Sequence, residues 1–315
     1  MEEESPLLVT PAEAQVLVAL SSTLCADPTH HPVLFCQQAE SATDSLPPRI
    51  KSRLAQFAQH GSATGYLLLR SVPINTEVDT PPDNKHHVGE TTGLARIQAL
   101  LVSAISHMVS YEAEGEGRLF QDIVPTRSMA THQTSTSSGV ELEIHTEQAF
   151  STIRPDILSL ACVRGDPEAL TYVLPVQTLR NHLTEDEQGL MRTPLWMTGV
   201  DMSFQVNDQA CERGPMPILV GPNLVFDQDL MKGVTEDAEK MIEKVVAIYY
   251  RHRLSHCLVP GDILLLDNRR AVHGRSQFHP AYNGRDRFLI RCFGMYDLAR
   301  ADHALRGRMM DARFS

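Results

Sequence analysis

The chain has no surplus of positive charge, no bilayer-length apolar run, no paired-cysteine motif and no internal repeat. Lysine and arginine number 28 against 39 acidic residues, a formal net charge of −11. Phosphate backbones are bound through a dense basic face, so this balance argues against a nucleic-acid partner. It suits a cationic small substrate, although acidity also serves solubility alone. No stretch is long and apolar enough to span a bilayer, and the opening Met-Glu-Glu-Glu lacks the basic and apolar regions of a secretory signal. The expectation is a soluble, cytoplasmic protein with no membrane contact. Six cysteines (Cys25, Cys36, Cys162, Cys211, Cys257 and Cys292) are scattered without a C-x-x-C pair. That pattern fits free thiols in a reducing compartment better than a disulfide framework or a zinc site. The sequence carries no repeat, no low-complexity segment and no signal of an oligomeric state.

What is present is an ordinary globular composition: 315 residues, 42% hydrophobic and 21% charged, enough to bury a substantial core. The first third reads as mainly helical. Residues 11–25 and 47–60 are apolar-rich stretches that open on proline, which a first helical turn tolerates, and Gly61 is placed to cap the second. Residues 94–111 carry apolar side chains at helical spacing and predict a long helix. A short strand is expected over 64–70, ahead of a polar, Pro-rich loop over 74–90. From 120 to 174 short apolar runs broken by Gly, Pro, Ser and Thr predict strands and turns. A helix over 235–251 has acids early and bases late, the order its dipole favours. The segments 261–267 and 287–293 read as strands. One compact domain over 1–315 is expected, a β-rich α+β fold with a sandwich or jelly-roll core and helices packed outside.

The chemistry-bearing pattern begins in Val140-Glu-Leu-Glu-Ile-His-Thr-Glu147. Apolar and polar residues alternate there, and on a strand His145 and Glu147 face the same way, so they can share one metal ion. Alone, a His and a Glu at this spacing are weak evidence, because a polar strand face is the commoner explanation. His273 adds to it, following the apolar run 263–266 and a polar turn in Asp267-Asn-Arg-Arg-Ala-Val-His273. Two imidazoles and a carboxylate form the facial triad that leaves half of an octahedral iron(II) open. The other histidines read as ordinary surface or hydrogen-bonded residues.

Downstream, Arg287, Leu289 and Arg291 share one strand face, opposite Phe288, Ile290 and Cys292. Two inward guanidinium groups are costly unless each meets an anion, and the planar fork suits a carboxylate. The pair therefore points either to two carboxylate ligands or to salt bridges with acidic side chains such as Asp286.

Together these residues resemble the clavaminate synthase-like group of iron(II)/2-oxoglutarate oxygenases. The resemblance runs from Gly65-Tyr-Leu-Leu-Leu-Arg70 to about Tyr296. It is carried by Gln121-Asp-Ile-Val-Pro125, Glu143-Ile-His-Thr-Glu-Gln-Ala-Phe150, Arg154-Pro-Asp156, Pro260-Gly-Asp262, Asp267-Asn-Arg-Arg-Ala-Val-His-Gly-Arg275 and Asn283-Gly-Arg-Asp-Arg287. It implies a double-stranded β-helix (jelly-roll) core with flanking helices, iron(II) as cofactor, and 2-oxoglutarate and O2 as co-substrates.

The resemblance also implies roles. His145, Glu147 and His273 match the iron ligands. Arg287 matches the clamp on the distal carboxylate of 2-oxoglutarate, with Thr171 where the family has a supporting hydroxyl. Arg291 and Ser135 match positions that hold the α-carboxylate of an amino-acid substrate. Glu114 is the choice for its α-amino group, with Glu112 and Glu116 as alternatives. Asp227 and Asp229, on one side if their segment is extended, would neutralise a basic side chain or else form a solvated acidic loop. Gln148 departs from the family pattern, where an acid often follows the H-T-E. The implied reaction is hydroxylation of a free basic L-amino acid, arginine or lysine, at C3 or C4, with release of succinate and CO2. The alternatives are asparagine or another amino acid as substrate, oxidative cyclisation or desaturation, and a jelly-roll binding protein with a vestigial metal site.

Overall fold

The computed structural model describes residues 5–60, 64–74, 78–201, 204 and 212–312. Two sheets position the site, the smaller antiparallel and the larger antiparallel except where Leu7–Leu8 pairs with Tyr66–Arg70 and Met309–Met310 with His107–Tyr111. The larger has nine strands, running in space from Leu7–Leu8 through Tyr66–Arg70, Ile263–Asp267, Ile157–Arg164, Phe288–Met295 and His107–Tyr111 to Met309–Met310 and Leu305–Arg306, with Gln121–Ile123 also paired to Phe288–Met295. The smaller runs Leu254–Cys257, Leu170–Pro175, Ala271–Arg275, Leu142–His145.

Side-chain alternation sorts the core into layers. From the central strands, Leu67, Leu69, Ala161, Val163, Ile263 and Leu265 join one cluster with the N-terminal helices. Their neighbours Leu68, Leu158, Leu160, Leu264 and Leu266 join Val173 and Ala271 of the smaller sheet in a second cluster. The larger sheet is thus buried on both faces, which is why its strands are continuous apolar runs such as Ile263-Leu-Leu-Leu266. Each fully buried leucine there contributes roughly 1.5–3 kcal/mol of transfer free energy. The outer face of the smaller sheet is covered by a third cluster, built from the helices Val176–Asn181, Glu185–Met191 and Glu236–His252 around Trp196.

The helices over 11–25, 47–60 and 235–251 appear as Pro11–Ser21, Pro48–His60 and Glu236–His252. Gly61, the expected cap of the second, lies outside the described residues. The long helix expected over 94–111 is shorter: Gly93–Ser103 is helical and His107–Tyr111 is a strand. Thr92 caps the helix start through Ala95 N–H at 3.1 Å, and Ser106 Oγ donates to the Val102 carbonyl at 3.0 Å where it ends. Beyond that point Met108 packs on the helix side of the sheet and Val109 on the other. An apolar run buried on both sides has no face to distinguish period 2 from period 3.6, and pairing with Phe293–Met295 decided it. The helix Pro32–Ala42 was not expected from the sequence; its buried stripe is only Phe35, Cys36 and Ala39. The described cysteines Cys25, Cys36, Cys162, Cys257 and Cys292 are free thiols, and Cys211 lies outside the described residues. Among the described residues no helix is long and apolar enough to cross a membrane.

Candidate metal centre and its two flanking cavities

Sheet pairing assembles two members of the predicted triad. His145 ends the strand Leu142–His145, and His273 is its antiparallel partner on Ala271–Arg275. Their rings lie 4.3 Å apart between centroids at 54°. The His145 Nδ1 sits 2.8 Å from the Glu143 carbonyl, which can only accept, so Nδ1 carries the proton and Nε2 keeps its lone pair for a metal. Burial, reinforced by His145 and Arg291, holds the His273 imidazole well below its usual pKa, in the neutral form that ligates.

Glu147 arrives differently from the expectation of a shared strand face. The strand stops at His145, Thr146 donates its N–H to the Phe226 carbonyl at 2.7 Å, and Gln148 takes a φ of 56°. Glu147 therefore sits just past the strand, with its N–H on Asn268 Oδ1 at 2.8 Å and its carbonyl on Asn268 Nδ2 at 3.1 Å. Its Oε2 nonetheless lies 3.8 Å from His273 Nε2, and the ligand atoms of His145, Glu147 and His273 all fall within 4.8 Å of one another.

On one side of the triad is a mostly apolar cavity whose polar lining includes Thr171, Ser135, Arg275 and Arg287. Arg287 is buried, and its guanidinium has no hydrogen bond or ion pair to any described residue; the Phe278 ring lies 5.9 Å away. The salt bridge to Asp286 considered from the sequence is not formed. Burial lowers the Arg287 pKa only to about 10, so the group stays cationic at neutral pH. Thr171 Oγ1 is buried without a partner in the same cavity. A buried unpaired cation beside an unused hydroxyl is unfavourable until an anion fills the space.

On the other side the lining is acidic and polar: Glu114, Glu143, Asp201, Asp227 and Asp229, with Ser135 and Arg291. Arg291 is buried. Its Nε donates to Gln121 Oε1 at 3.0 Å, Nη1 to Glu147 Oε1 at 3.3 Å, and Nη2 to Glu114 Oε1. Burial pushes Glu114 up to about 7 against the pull of Arg291. Glu112 and Glu116 face elsewhere, pairing with Arg306 and His87. Gln148 Nε2 donates to Glu114 Oε2 at 3.3 Å, so the position that departs from the family pattern contacts a lining residue of the acidic cavity.

Asp227 and Asp229 do not lie along an extended segment. Asp227 bridges to His145, and the chain then turns, with Leu230 N–H on Asp227 Oδ1 at 2.8 Å and Met231 N–H on the Asp227 carbonyl at 3.2 Å. Both carboxylates still reach the cavity. Burial raises the Asp227 pKa to about 6, and burial followed by neighbouring acids raises Asp229 and Glu143. None of these three carboxylates has a cationic side-chain partner among the described residues.

Sequence reasoning missed Glu143, Asp201, Gln121, Arg275 and Asn268. Glu143 and Arg275 were within reach of the same-face rule, lying two positions from His145 and His273 on their strands. Arg275 anchors the Ser135 segment, donating from Nη1 to the Ser135 carbonyl at 3.2 Å and from Nη2 to Ser137 Oγ at 2.9 Å. Asp201 comes in from a distant segment and had no sequence signal, while Gln121 lay in a motif of the resemblance to which no role was given.

Comparison with known proteins agrees with this architecture. Residues 35–293 match the family model described as taurine catabolism dioxygenase TauD, TfdA family. An L-lysine 3-hydroxylase of Catenulispora acidiphila is 46% identical over 325 aligned residues, covering 100% of this chain and 91% of that protein. Clavaminate synthase 2 of Streptomyces clavuligerus is 28% identical, over 92% of each chain. A solved asparagine oxygenase, in complex with Fe(II), 3-hydroxyasparagine and succinate, superposes with a TM-score of 0.89 at 26% identity, covering 98% of this chain and 99% of that one. Sequence match and architecture together show that this chain belongs to the TauD/TfdA dioxygenase family.

Proposed function

We propose that this protein is an iron(II)- and 2-oxoglutarate-dependent hydroxylase of free L-lysine, acting at C3, in one cytoplasmic jelly-roll domain spanning residues 1–315. The observation that carries the basic substrate is the cavity beside the triad. It holds Arg291 and Glu114 together, and the uncompensated carboxylates of Asp227, Asp229 and Glu143 line the same space. The likeness to an L-lysine 3-hydroxylase supports lysine over arginine and C3 over C4. The solved asparagine oxygenase, which holds Fe(II) and succinate, supports the cofactor and co-substrate.

The residues fit that cofactor and co-substrate. His145, Glu147 and His273 offer two imidazoles and one carboxylate, the donor set of an iron(II) facial triad. Iron, with 2-oxoglutarate and O2, would supply the oxidant that cleaves an unactivated C–H bond. The chain's own residues bind and orient. Arg287, helped by Thr171 Oγ1, takes the distal carboxylate of 2-oxoglutarate and gains the anion it lacks. Arg291 and Ser135 take the α-carboxylate of the amino acid, Glu114 its ammonium, and Asp227 with Asp229 the side-chain ammonium. Fixing both ends of a flexible substrate determines which carbon faces the metal, the usual source of large effective molarity. The intact ligand set and both arginines favour an active enzyme over a vestigial site.

Purified protein with iron, 2-oxoglutarate, ascorbate and a panel of amino acids should give one-oxygen mass gain on lysine, with succinate formed alongside. Strong product from asparagine and none from lysine or arginine would overturn the basic-substrate reading. Changing Asp227→Asn and Asp229→Asn together should raise KM for lysine about 5- to 150-fold, from the ~1–3 kcal/mol of lost charge-assisted contact. Turnover of norleucine, a neutral analogue with the same carbon chain, should change little. An unaltered lysine-to-norleucine ratio would remove both residues from the site.

A further inference from the structure

Pairing in the smaller sheet places two of the triad residues but not the third. His145 and His273 are cross-strand partners, so the ladder itself brings their rings together. Glu147 lies past the strand end, and among the described residues no strand pairs with it. Its main chain is still buried, and a buried N–H or C=O requires a partner. Both groups meet one side chain. Asn268 Oδ1 accepts from Glu147 N–H at 2.8 Å, while Asn268 Nδ2 donates to the Glu147 carbonyl at 3.1 Å and to the Pro155 carbonyl at 2.9 Å.

Asn268 is 1% exposed and sits in the turn between Ile263–Asp267 of the larger sheet and Ala271–Arg275 of the smaller. The turn is closed by Arg270 N–H on the Asp267 carbonyl at 2.9 Å, and Asn268 N–H is held by the Asp156 carbonyl at 2.9 Å. The side chain therefore stands on a fixed base, at the entrance to the strand of His273. A carboxamide presents an acceptor and two donors in one plane, the complement of one residue's own N–H and C=O. A shorter or apolar side chain would orphan both groups at Glu147 and let the segment shift toward water.

We propose that Asn268 is a positioning residue for the metal centre: it pins the Glu147 main chain to the turn that leads into His273, so that the carboxylate meets the two imidazoles. The proposal rests on the metal reading above. The side chain of Asn268 touches neither the ligand atoms nor the substrate cavity and acts only through Glu147.

The test is calorimetric titration of Fe(II) or Co(II) into metal-free full-length protein without amino acid or 2-oxoglutarate. Asn268→Ala should weaken binding roughly 10- to 100-fold, the usual effect of removing a group that orients a ligand. Gln98→Ala is the control for a purely structural loss. Gln98 is equally buried, and it donates to Ser159 Oγ and the Ile290 carbonyl, both at 3.0 Å, on the far face of the larger sheet. It should keep wild-type metal affinity even though its stability falls.

A double-mutant cycle then isolates the route. Glu147→Ala should cost much less affinity in the Asn268→Ala background than in the wild type, because the two residues act as one unit. Additive losses, or an equal loss from Gln98→Ala, would overturn the positioning role, as would wild-type affinity in Asn268→Ala. If Asn268→Ala does not fold, Asn268→Ser carries the same comparison, since the serine oxygen stops one bond short of the carboxamide positions and has one proton for the two carbonyls of Glu147 and Pro155. Tight wild-type binding that is unaltered in the variants overturns this proposal alone. No wild-type binding overturns the metal reading with it.

Discussion

Glu147→Ala should lower lysine hydroxylation by about 10³-fold or more and strip most of the metal from the protein. Glu147 is the one anionic donor in the triad, and the two donors that remain are imidazoles. An iron centre lowers the barrier by several kcal/mol, and each 1.36 kcal/mol is tenfold in rate. The loss should appear at every concentration of lysine and 2-oxoglutarate, because it is a loss of the centre and not of affinity for either. Arg291 would be left without one of its acceptors but keeps Gln121 and Glu114, so the fold should survive. Circular dichroism and metal content on the same sample separate these outcomes. A folded variant retaining substantial turnover would show that Glu147 is not a ligand.

Arg287→Leu should raise the KM for 2-oxoglutarate on the order of 30- to 3,000-fold while leaving the KM for lysine much closer to its original value. Loss of a buried cation that faces a bound carboxylate costs roughly 2–5 kcal/mol, and each 1.4 kcal/mol is tenfold in affinity. Arg287 suits this test because it has no competing partner among the described residues. Leucine also relieves the ligand-free protein of an unpaired buried charge. Its thermal stability without co-substrate should therefore be equal to or above wild type, although its affinity falls. Arg287→Lys, which keeps the charge but loses the planar fork, should fall between. A co-substrate KM that does not move in Arg287→Leu would place the clamp elsewhere in the cavity, with Arg275 next to be tested.

Much of the site was legible in the sequence because sheets translate spacing into direction. Arg287 and Arg291 face away from Phe288, Ile290 and Cys292 as alternation requires, and His273 does meet His145. The fit between His145 and Glu147 was legible in outcome but not in cause. Alternation would have put the carboxylate on the strand, whereas the strand ends first and a turn asparagine holds Glu147 in place. Nothing local in Asp267-Asn-Arg-Arg270 distinguishes such an asparagine from an ordinary turn residue, since its partners are supplied by the fold. The acidic cavity shows the same limit. Glu143 could have been found from its position two residues before His145, but Asp201 reaches the cavity from a segment with no periodic signal. Among the elements, the failure over 94–111 was one of period. A run buried on both faces is equally compatible with helix and strand, and it is the pairing of His107–Tyr111 with Phe293–Met295 that decides it.

The coupling of one amino-acid oxygenation to one 2-oxoglutarate decarboxylation at a single centre is tested most directly with isotopically labelled dioxygen. The protein is incubated with iron, 2-oxoglutarate, lysine and ¹⁸O2, and both products are analysed by mass spectrometry. Hydroxylysine and succinate should form in equal amounts, with the label from O2 entering both. Hydroxyl oxygen drawn wholly from water, or succinate formed at a rate indifferent to lysine and to every other amino acid, would contradict this coupling.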